Sequence, residues 1–173
     1  MKGARPPSTS QITQALGEAA GRYSELLRET LGENLVSVVL FGSVARGEAN
    51  ANSDLDLLIV CEDLPTGRFS RLRLLEDADR RFEDELLRLR SRGIQTRLAR
   101  ILKTRQEAGR VVPLYLDMVE DARLLYDCGG WFSSLLSRLQ SVLARLGAER
   151  RVRGRIRYWV LKPALAPGEV IEL

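Results

Sequence analysis

The spacing of apolar and polar residues along the chain predicts four helices and three strands. Apolar residues recur every three or four positions in four segments, as on the buried face of an amphipathic helix. The predicted helices are residues 11–31, 68–90, 113–127 and 131–146. Short runs of apolar residues between turn residues predict strands, although arginine and lysine blur the third run. The predicted strands are residues 35–41, 54–60 and 94–104.

The order of these elements predicts the fold class. Helix, strand, strand, helix, strand, helix and helix are followed by a tail, which indicates an α/β or α+β fold with a small mixed sheet flanked by helices. Residues 1–10, with two prolines and a cluster of hydroxyl side chains, are expected to be a flexible lead-in. Residues 11–127 then form the main domain. Residues 128–173 form an extension with one helix and an arginine-rich strand and tail.

Composition narrows the chemistry that this domain can perform. The 173 residues include no histidine and only two cysteines, Cys61 and Cys128, which lack the spacing of a metal site or a disulfide framework. Catalysis by a histidine base and by Ser-His or Cys-His nucleophiles is therefore excluded. A bound metal would have to be held by oxygen atoms, which favours a hard cation such as Mg²⁺.

Length, hydropathy and charge indicate the size of the fold, the expected location of the protein and its expected partners. The chain is long enough for one domain with a core, and no apolar run approaches the roughly 20 residues of a membrane helix. No apolar segment follows the first basic residues, so we expect no secretory signal, no membrane partner and a cytoplasmic location. The formal net charge of +4 is compatible with nucleotide or nucleic-acid binding, but many other proteins share it.

Two carboxylates interrupt the second predicted strand. Asp54 and Asp56 are two residues apart, so their side chains leave the same face of a strand, opposite Leu55 and Leu57. An ionised carboxylate in a core is costly unless a partner neutralises it, and two such groups repel each other. A cation relieves both effects, and Mg²⁺ beside a nucleotide is commonly held by carboxylates, waters and phosphates. We therefore expect both aspartates to be metal ligands and catalytic residues.

A turn with two glycines follows the first predicted strand, in the sequence GSVARG at residues 42–47. Gly42 lets the backbone turn sharply and approach a ligand. The amide groups at the start of the next short helix, with the Ser43 hydroxyl, can then bind phosphate oxygens. Arg46 lies one helical turn further and can add charge-assisted hydrogen bonds. A Gly-Ser pair alone is usually only a turn, so this prediction depends on its combination with the two aspartates.

Together these features resemble the nucleotidyltransferase superfamily of DNA polymerase β, in its minimal nucleotidyltransferase branch. The matching residues are Gly42, Ser43, Ala45, Arg46, Gly47, Ser53, Asp54, Asp56 and the apolar residues 57–60. The resemblance extends over residues 11–104 in the arrangement of elements and is close only in the motif itself. It implies a polymerase β-like nucleotidyltransferase fold for residues 11–127.

The resemblance also implies an activity. Family members transfer a nucleoside monophosphate from a nucleoside triphosphate, usually ATP, to an acceptor hydroxyl, and pyrophosphate leaves. They use Mg²⁺, which the two aspartates would hold here. The residues that would bind the nucleotide are Gly42, Ser43, Arg46 and Ser53. Many minimal members act beside a helical partner of the HEPN type in toxin–antitoxin pairs, so the acceptor hydroxyl could belong to a partner protein, with a small molecule as the alternative.

One feature of the superfamily is missing from the sequence. A third carboxylate normally comes from the next strand, but residues 94–104 contain no acid. The nearest candidates are Glu107 and Asp117. Asp117 would be a third ligand if its segment were a strand, and a solvated helix residue if the segment is helical, as its spacing predicts. The chain is therefore either a two-carboxylate transferase or a non-catalytic binding module, such as an antitoxin.

The arginine-rich C-terminus adds a third function to be weighed. The arginines, which precede the aromatic pair Tyr158–Trp159, are Arg150, Arg151, Arg153, Arg155 and Arg157. Arginines beside stacking aromatics are found in RNA-binding proteins. The other interpretation is an edge strand in which the arginines are solvated while Val152, Ile156 and Trp159 pack. We favour the packed strand, so nucleic acid is an alternative partner and not the expected one.

Overall fold

The computed structural model describes residues 7–154 and 156–163, which form seven α-helices and six strands. The helices are α1 (Thr9–Leu31), α2 (Gly42–Ala45), α3 (Arg68–Arg73), α4 (Glu76–Ser91), α5 (Arg105–Ala108), α6 (Pro113–Asp121) and α7 (Trp131–Leu146). The strands are β1 (Leu35–Phe41), β2 (Leu55–Cys61), β3 (Leu98–Thr104), β4 (Arg123–Asp127), β5 (Glu149–Arg153) and β6 (Ile156–Val160). Within these ranges, no helix combines the length and the hydropathy that a membrane span requires.

Four of the strands form one mixed sheet in the order β3-β2-β1-β4. β1 is antiparallel to both of its neighbours, and β2 is parallel to β3. Helices α1 and α4 pack on one face of the sheet, and α6 and α7 pack on the other. The predicted small mixed sheet flanked by helices is therefore confirmed. Strands β5 and β6 form a separate antiparallel hairpin.

The central strands are buried on both faces, which explains their nearly continuous apolar sequences. Leu55 and Leu57 of β2 pack towards α1 and α4, whereas Leu58 and Val60 pack towards α6 and α7. Because side chains alternate along a strand, Asp56 lies on the α6 and α7 face, at the edge where β2 begins. The sheet thus holds this carboxylate on a rigid element while its neighbours fill the core.

Helix α1 begins and ends at local sequence signals. Ser8 and Gln11 form a capping box, in which the Ser8 hydroxyl accepts from the Gln11 amide at 3.3 Å and the Gln11 side chain accepts from the Ser8 amide at 2.9 Å. Gly32, with φ of +54°, ends the helix. The helix starts at Thr9, inside the predicted lead-in, and residues 1–6 of that lead-in lie outside the described residues.

Two of the predicted helices differ from the structure. The helix predicted over residues 68–90 is divided into α3 and α4 around the exposed Leu74 and the buried Leu75. The helix predicted over residues 113–127 is wrong in its second half, because α6 ends at Asp121 and β4 follows. β4 exchanges backbone hydrogen bonds with the free edge of β1, and the hydroxyl of Ser37 in β1 donates to Asp127 at 2.7 Å. This pairing is long-range, so the helical spacing of the segment did not reveal it.

The C-terminal hairpin is attached to the α6 and α7 side of the core by polar contacts and by Trp159, which packs there as predicted. The side chain of Arg150 is only 14% exposed and pairs with Asp121 at 2.6 Å. The indole N–H of Trp159 donates to Asp117 at 3.1 Å. The prediction that Val152 packs is wrong, since this side chain is 66% exposed. The predictions for Arg155, for the side chain of Ile156 and for residues 164–173 lie outside the described residues.

Candidate active site

The turn after β1 and the start of β2 are in direct contact at one edge of the sheet. Phe41 at the end of β1 pairs with Asp56 in β2, which places Gly42 against the Asp56 side chain. Gly42 has φ of +73°, and a Cβ atom added there would overlap Asp56 Oδ2 and lie 2.9 Å from its Cγ. The turn therefore needs glycine for its backbone conformation and for the space that the carboxylate fills.

The two aspartates differ in exposure. Asp54 is exposed just before β2 begins, and Asp56 is half-buried inside the strand. Burial raises the pKa of the Asp56 carboxyl, the negative charge of Asp54 raises this pKa further, and the positive charge of Arg46 partly opposes both. The protein therefore supplies too little positive charge to balance ionised Asp56. A bound cation would reduce the repulsion between the two carboxylates.

Ser53 closes the turn that carries Asp54. Its hydroxyl oxygen accepts from the Asn50 amide at 2.9 Å, and its own amide donates to the Asn50 carbonyl at 3.0 Å. Because this residue is only 7% exposed, its contacts give it a structural role that fixes the backbone before Asp54. Ser43, by contrast, is half-buried and follows Gly42 directly in α2.

Arg46 is held beside the turn by a chain of ion pairs. Its Nε donates to Glu48 at 3.0 Å, and the guanidinium of Arg157 in the C-terminal hairpin pairs with the same carboxylate. Hydrogen bonds from Arg157 and then from Arg46 lower the pKa of Glu48. Arg46 and Gly42 also line a cavity of about 200 Å³ against α6. We call it the turn-side cavity.

The strand next to β2 brings no carboxylate to the aspartates. Asp56 is paired with Ala99 of β3, and no acid occurs in β3. Arg100 of β3 points to the opposite face of the sheet, where it donates to the Tyr23 hydroxyl and to Asp79 of α4. Arg100 therefore stabilises the packing of α1 and α4 on the sheet and does not belong to the site.

The two acids considered from the sequence as third ligands are already bound to other groups. Glu107 accepts two hydrogen bonds from Arg71 at 2.7 Å and one from the Thr104 amide at 2.9 Å, which hold its pKa at about 2. Asp117 lies on α6, as the helical interpretation predicted, and it lines the turn-side cavity. It accepts from Trp159 and lies 3.6 Å from Arg150, so much of its charge is compensated.

A second cavity, of about 400 Å³, adjoins Asp54 on the side of β3. We call it the β3-side cavity. The residues that line it are Asn52, Asp54, Arg90, Gln95, Thr96 and Arg97. Of these, only Asp54 was singled out by sequence analysis, because the others carry no motif and meet only when β3 joins the sheet. The backbone bonds from Gln95 to Ala51 (2.6 Å) and from Leu55 to Arg97 (2.8 Å) hold its two walls together.

The carboxylates available at this edge suit a cation that is shared with a nucleotide. Within residues 7–154 and 156–163, no three acidic or cysteine side chains are grouped as a metal-binding cluster. Two carboxylates leave most of an octahedral shell to water and phosphate oxygens, which is how Mg²⁺ is usually held. The donor set of Asp54 and Asp56 and their mutual repulsion therefore fit a divalent cation.

The C-terminal arginines are largely occupied within the chain. Arg150 pairs with acids of α6, Arg151 pairs with Glu149 at 2.8 Å, and Arg157 pairs with Glu48. Such guanidinium groups would have to exchange these carboxylates for phosphates in order to bind RNA. The described part of the hairpin therefore does not favour the RNA-binding interpretation.

Comparison with known proteins identifies a family match over most of this sheet. A family model described as nucleotidyltransferase domain matches residues 23–124, which is more than half of the chain. The match includes Gly42, both aspartates and the residues that line the β3-side cavity.

Similar individual proteins come from archaea and bacteria. A Methanocaldococcus jannaschii protein named "Putative protein adenylyltransferase MJ1305" is 25% identical over 131 residues, which cover 76% of this chain and 85% of that protein. A toxin–antitoxin crystal structure with AMP-PNP contains a chain with 17% identity and a TM-score of 0.44, over 74% of this chain and 92% of that one. A Shewanella oneidensis structure of a tri-AMPylated HEPN toxin with its MNT antitoxin gives 15% identity and a TM-score of 0.42, over 76% and 92%.

Proposed function

Because this chain belongs to the nucleotidyltransferase domain family, we propose that it transfers AMP from ATP to a hydroxyl group of an acceptor. Asp54 and Asp56 hold Mg²⁺, which supplies positive charge to the triphosphate oxygens. The acceptor oxygen forms a bond to the α-phosphorus. The bond between that phosphorus and the oxygen that joins it to the β-phosphorus breaks. Pyrophosphate leaves, and the hydroxyl proton passes to water.

The observation that carries this proposal is the contact between Gly42 and Asp56. The turn at Gly42 and a carboxylate on a rigid strand are packed so closely that a Cβ atom at Gly42 would overlap Asp56 Oδ2. Gly42 has φ of +73° and faces a carboxylate whose pKa is raised. This arrangement does not stabilise the fold, because apolar side chains packed at the same place would give a lower free energy. Both features are useful when a cation and a triphosphate occupy the edge together.

The remaining residues act by positioning. The Gly42–Ser43 backbone and the Ser43 hydroxyl bind the phosphates that leave, and Arg46 adds a charge-assisted contact from the turn-side cavity. Glu48 and Arg157 hold Arg46 in place. Ser53 contributes by fixing the turn before Asp54. In-line phosphoryl transfer gains most of its acceleration from such positioning and charge neutralisation.

We propose that the acceptor hydroxyl belongs to a partner protein. The Methanocaldococcus jannaschii relative, with its name of protein adenylyltransferase, supports a protein acceptor. The resemblance of the sequence motif to the minimal nucleotidyltransferases suggests a helical HEPN-type protein as that partner. Transfer to a small molecule is the alternative.

Transfer of labelled AMP tests the function directly. Incubation of the protein with labelled ATP, Mg²⁺ and a HEPN-type candidate partner should label the partner. Asp54→Asn and Asp56→Asn should each reduce labelling by at least about 100-fold, because each removes charge that fixes the cation. Asp63→Asn is the matched control, since Asp63 is an exposed acid just after the other end of β2. Equal labelling by all variants would exclude the two aspartates from catalysis.

A second candidate function is a non-catalytic binding module. The presence of Ala99 and the absence of any acid in β3 favour it, because the strand beside Asp56 supplies no third carboxylate. Such a module would bind ATP and neutralise its partner without labelling it. ATP binding by the wild-type protein, with no transfer to a partner that it neutralises, would establish this second function and reject the first.

A further inference from the structure

The β3-side cavity lies on the opposite flank of the aspartates from the phosphate-binding turn. β1 and β3 are the two neighbours of β2 in the sheet, so Gly42 reaches the edge from one side and Arg97 from the other. The two cavities share no lining residue, and the β3-side cavity includes Asp54 itself. In-line transfer requires the acceptor to approach from the side opposite the leaving pyrophosphate. If the Gly42–Ser43 turn holds the leaving phosphates, an acceptor would therefore approach from the side of the β3-side cavity.

Two exposed arginines of this cavity have no counter-ion among the described residues. Arg90 lies near the end of α4 and Arg97 just before β3, and neither side chain forms an ion pair or a hydrogen bond with a described residue. Two nearby arginines are paired, Arg88 with Glu85 and Arg100 with Asp79. Two guanidinium groups without such partners that line one cavity favour an oxyanion as its ligand.

A buried hydroxyl in the same cavity also lacks a partner. Thr96 is half-buried in the wall of the cavity, and its Oγ1 is almost fully buried and forms no hydrogen bond with a described residue. A buried polar group without a partner destabilises a fold, so a ligand that forms a hydrogen bond with Thr96 would gain free energy there. Thr96 is held in the wall by the backbone bonds of its neighbours Gln95 and Arg97 to the residues on either side of Asp54.

We propose that the β3-side cavity binds an acidic side chain of a protein acceptor, next to the hydroxyl that receives AMP. This inference depends on the proposed transfer to a protein and names the sequence that the site prefers. Arg90 and Arg97 bind the carboxylate, Thr96 donates its orphan hydroxyl, and the Asn52 and Gln95 amides bind the peptide backbone. The cavity volume of about 400 Å³ is within the range of ligand sites.

The lining of the cavity favours a protein acid over a nucleic acid. Among residues 7–154 and 156–163, no aromatic ring lines it, so these residues offer an unpaired base no surface on which to stack. The cavity is also lined by the negatively charged Asp54, and the described part of the chain contributes two cations to it, Arg90 and Arg97. A run of phosphates normally meets more basic residues than this. A single acidic side chain of an acceptor protein, next to the hydroxyl that receives AMP, would be complementary in charge to the two arginines.

Binding of synthetic peptides tests the proposal without catalysis. One short peptide has a tyrosine flanked by glutamates, and its twin has glutamines instead. Without ATP, the acidic peptide should shift the amide NMR signals of Gln95, Thr96 and Arg97, and the neutral twin should not. Arg97→Gln and Arg90→Gln should each weaken binding by about tenfold, the effect of one lost charged hydrogen bond. Arg92→Gln, an exposed neighbour that does not line the cavity, should have no effect.

Thr96→Val separates binding from folding. Removal of an unpaired buried hydroxyl should leave stability unchanged or raise it, while affinity for the acidic peptide falls. Equal binding of both peptides, or binding of a short oligonucleotide at these amides instead, would overturn the proposal.

Failure of the proposed function has a different signature. If Mg²⁺ and ATP cause no shift at Gly42 and Ser43 and no AMP is transferred, the transferase proposal fails. Selective binding of the acidic peptide would still identify the cavity as an acid-binding site.

Discussion

Replacement of Gly42 by alanine tests the central contact of the candidate site. The substitution adds one Cβ atom at a residue with φ of +73°, where that atom overlaps Asp56 Oδ2 and lies 3.2 Å from Asp56 Cβ. The alanine must therefore accept a left-handed backbone, and the carboxylate must rotate away. Gly147 is the matched control, because it has φ of +66° and nothing within 4 Å of an added Cβ.

The expected cost has two parts. A left-handed conformation costs a non-glycine residue about 1–2 kcal/mol, and this is all that Gly147→Ala should lose. Gly42→Ala should lose about 1 kcal/mol more, the cost of forcing Asp56 out of its preferred rotamer. This additional cost should disappear when Asp56 is already alanine, so the double-mutant cycle should give a coupling energy of about 1 kcal/mol.

Urea unfolding of the four proteins of the cycle measures the coupling, and calorimetric titration with ATP and Mg²⁺ measures the function. Gly42→Ala should weaken nucleotide binding by about tenfold or more, because the rotated carboxylate no longer faces the turn. Gly147→Ala should bind nucleotide normally. If the two glycine variants lose equal stability and Gly42→Ala binds ATP with unchanged affinity, Gly42 and Asp56 are not in contact and the site is misassigned.

Other predictions concern charge. Burial and the charge of Asp54 raise the pKa of Asp56. Protonated Asp56 therefore stabilises the fold at pH values below its ordinary pKa of 3.8, and this stabilisation is lost as the pH rises through the raised value. At neutral pH without metal, Asp56→Asn should therefore unfold at the same or a higher urea concentration than wild type, and Mg²⁺ with ATP should stabilise only wild type. The pKa of Glu107 is lowered from 4.5 to about 2, so Glu107→Gln should lower the free energy of unfolding at neutral pH. The difference from wild type should become smaller as the pH falls from 4.5 to about 2. Arg150→Gln should lose about 2–4 kcal/mol, because it leaves acids of α6 without their cation. The exposed Arg151→Gln should not change the unfolding midpoint, and equal losses in the two arginine variants would show that Arg150 does not anchor the hairpin.

Local sequence signals were enough for the elements that depend on neighbouring residues. β1 and α7 have the predicted bounds, because their signals lie in their own residues. β1 is a continuous apolar run between turns, and α7 has an apolar stripe that ends before Gly147. The alternation in β2 likewise placed Leu55 and Leu57 in the core. The Gly42–Ser43 turn and the two aspartates could be proposed for the same reason, since their spacing is a property of one short segment.

The tertiary structure alone decided which of these groups meet. Antiparallel pairing of β1 with β2 brings Gly42 against Asp56, and parallel pairing of β2 with β3 brings Arg97 beside Asp54. The helical spacing before β4 gave no sign that the segment would pair with β1. Hydrogen bonds between strands join residues that are far apart in sequence, and their free energy depends on the partner strand rather than on the local pattern. The motif could therefore be read from the chain, whereas the cavity around it arises only when the sheet assembles.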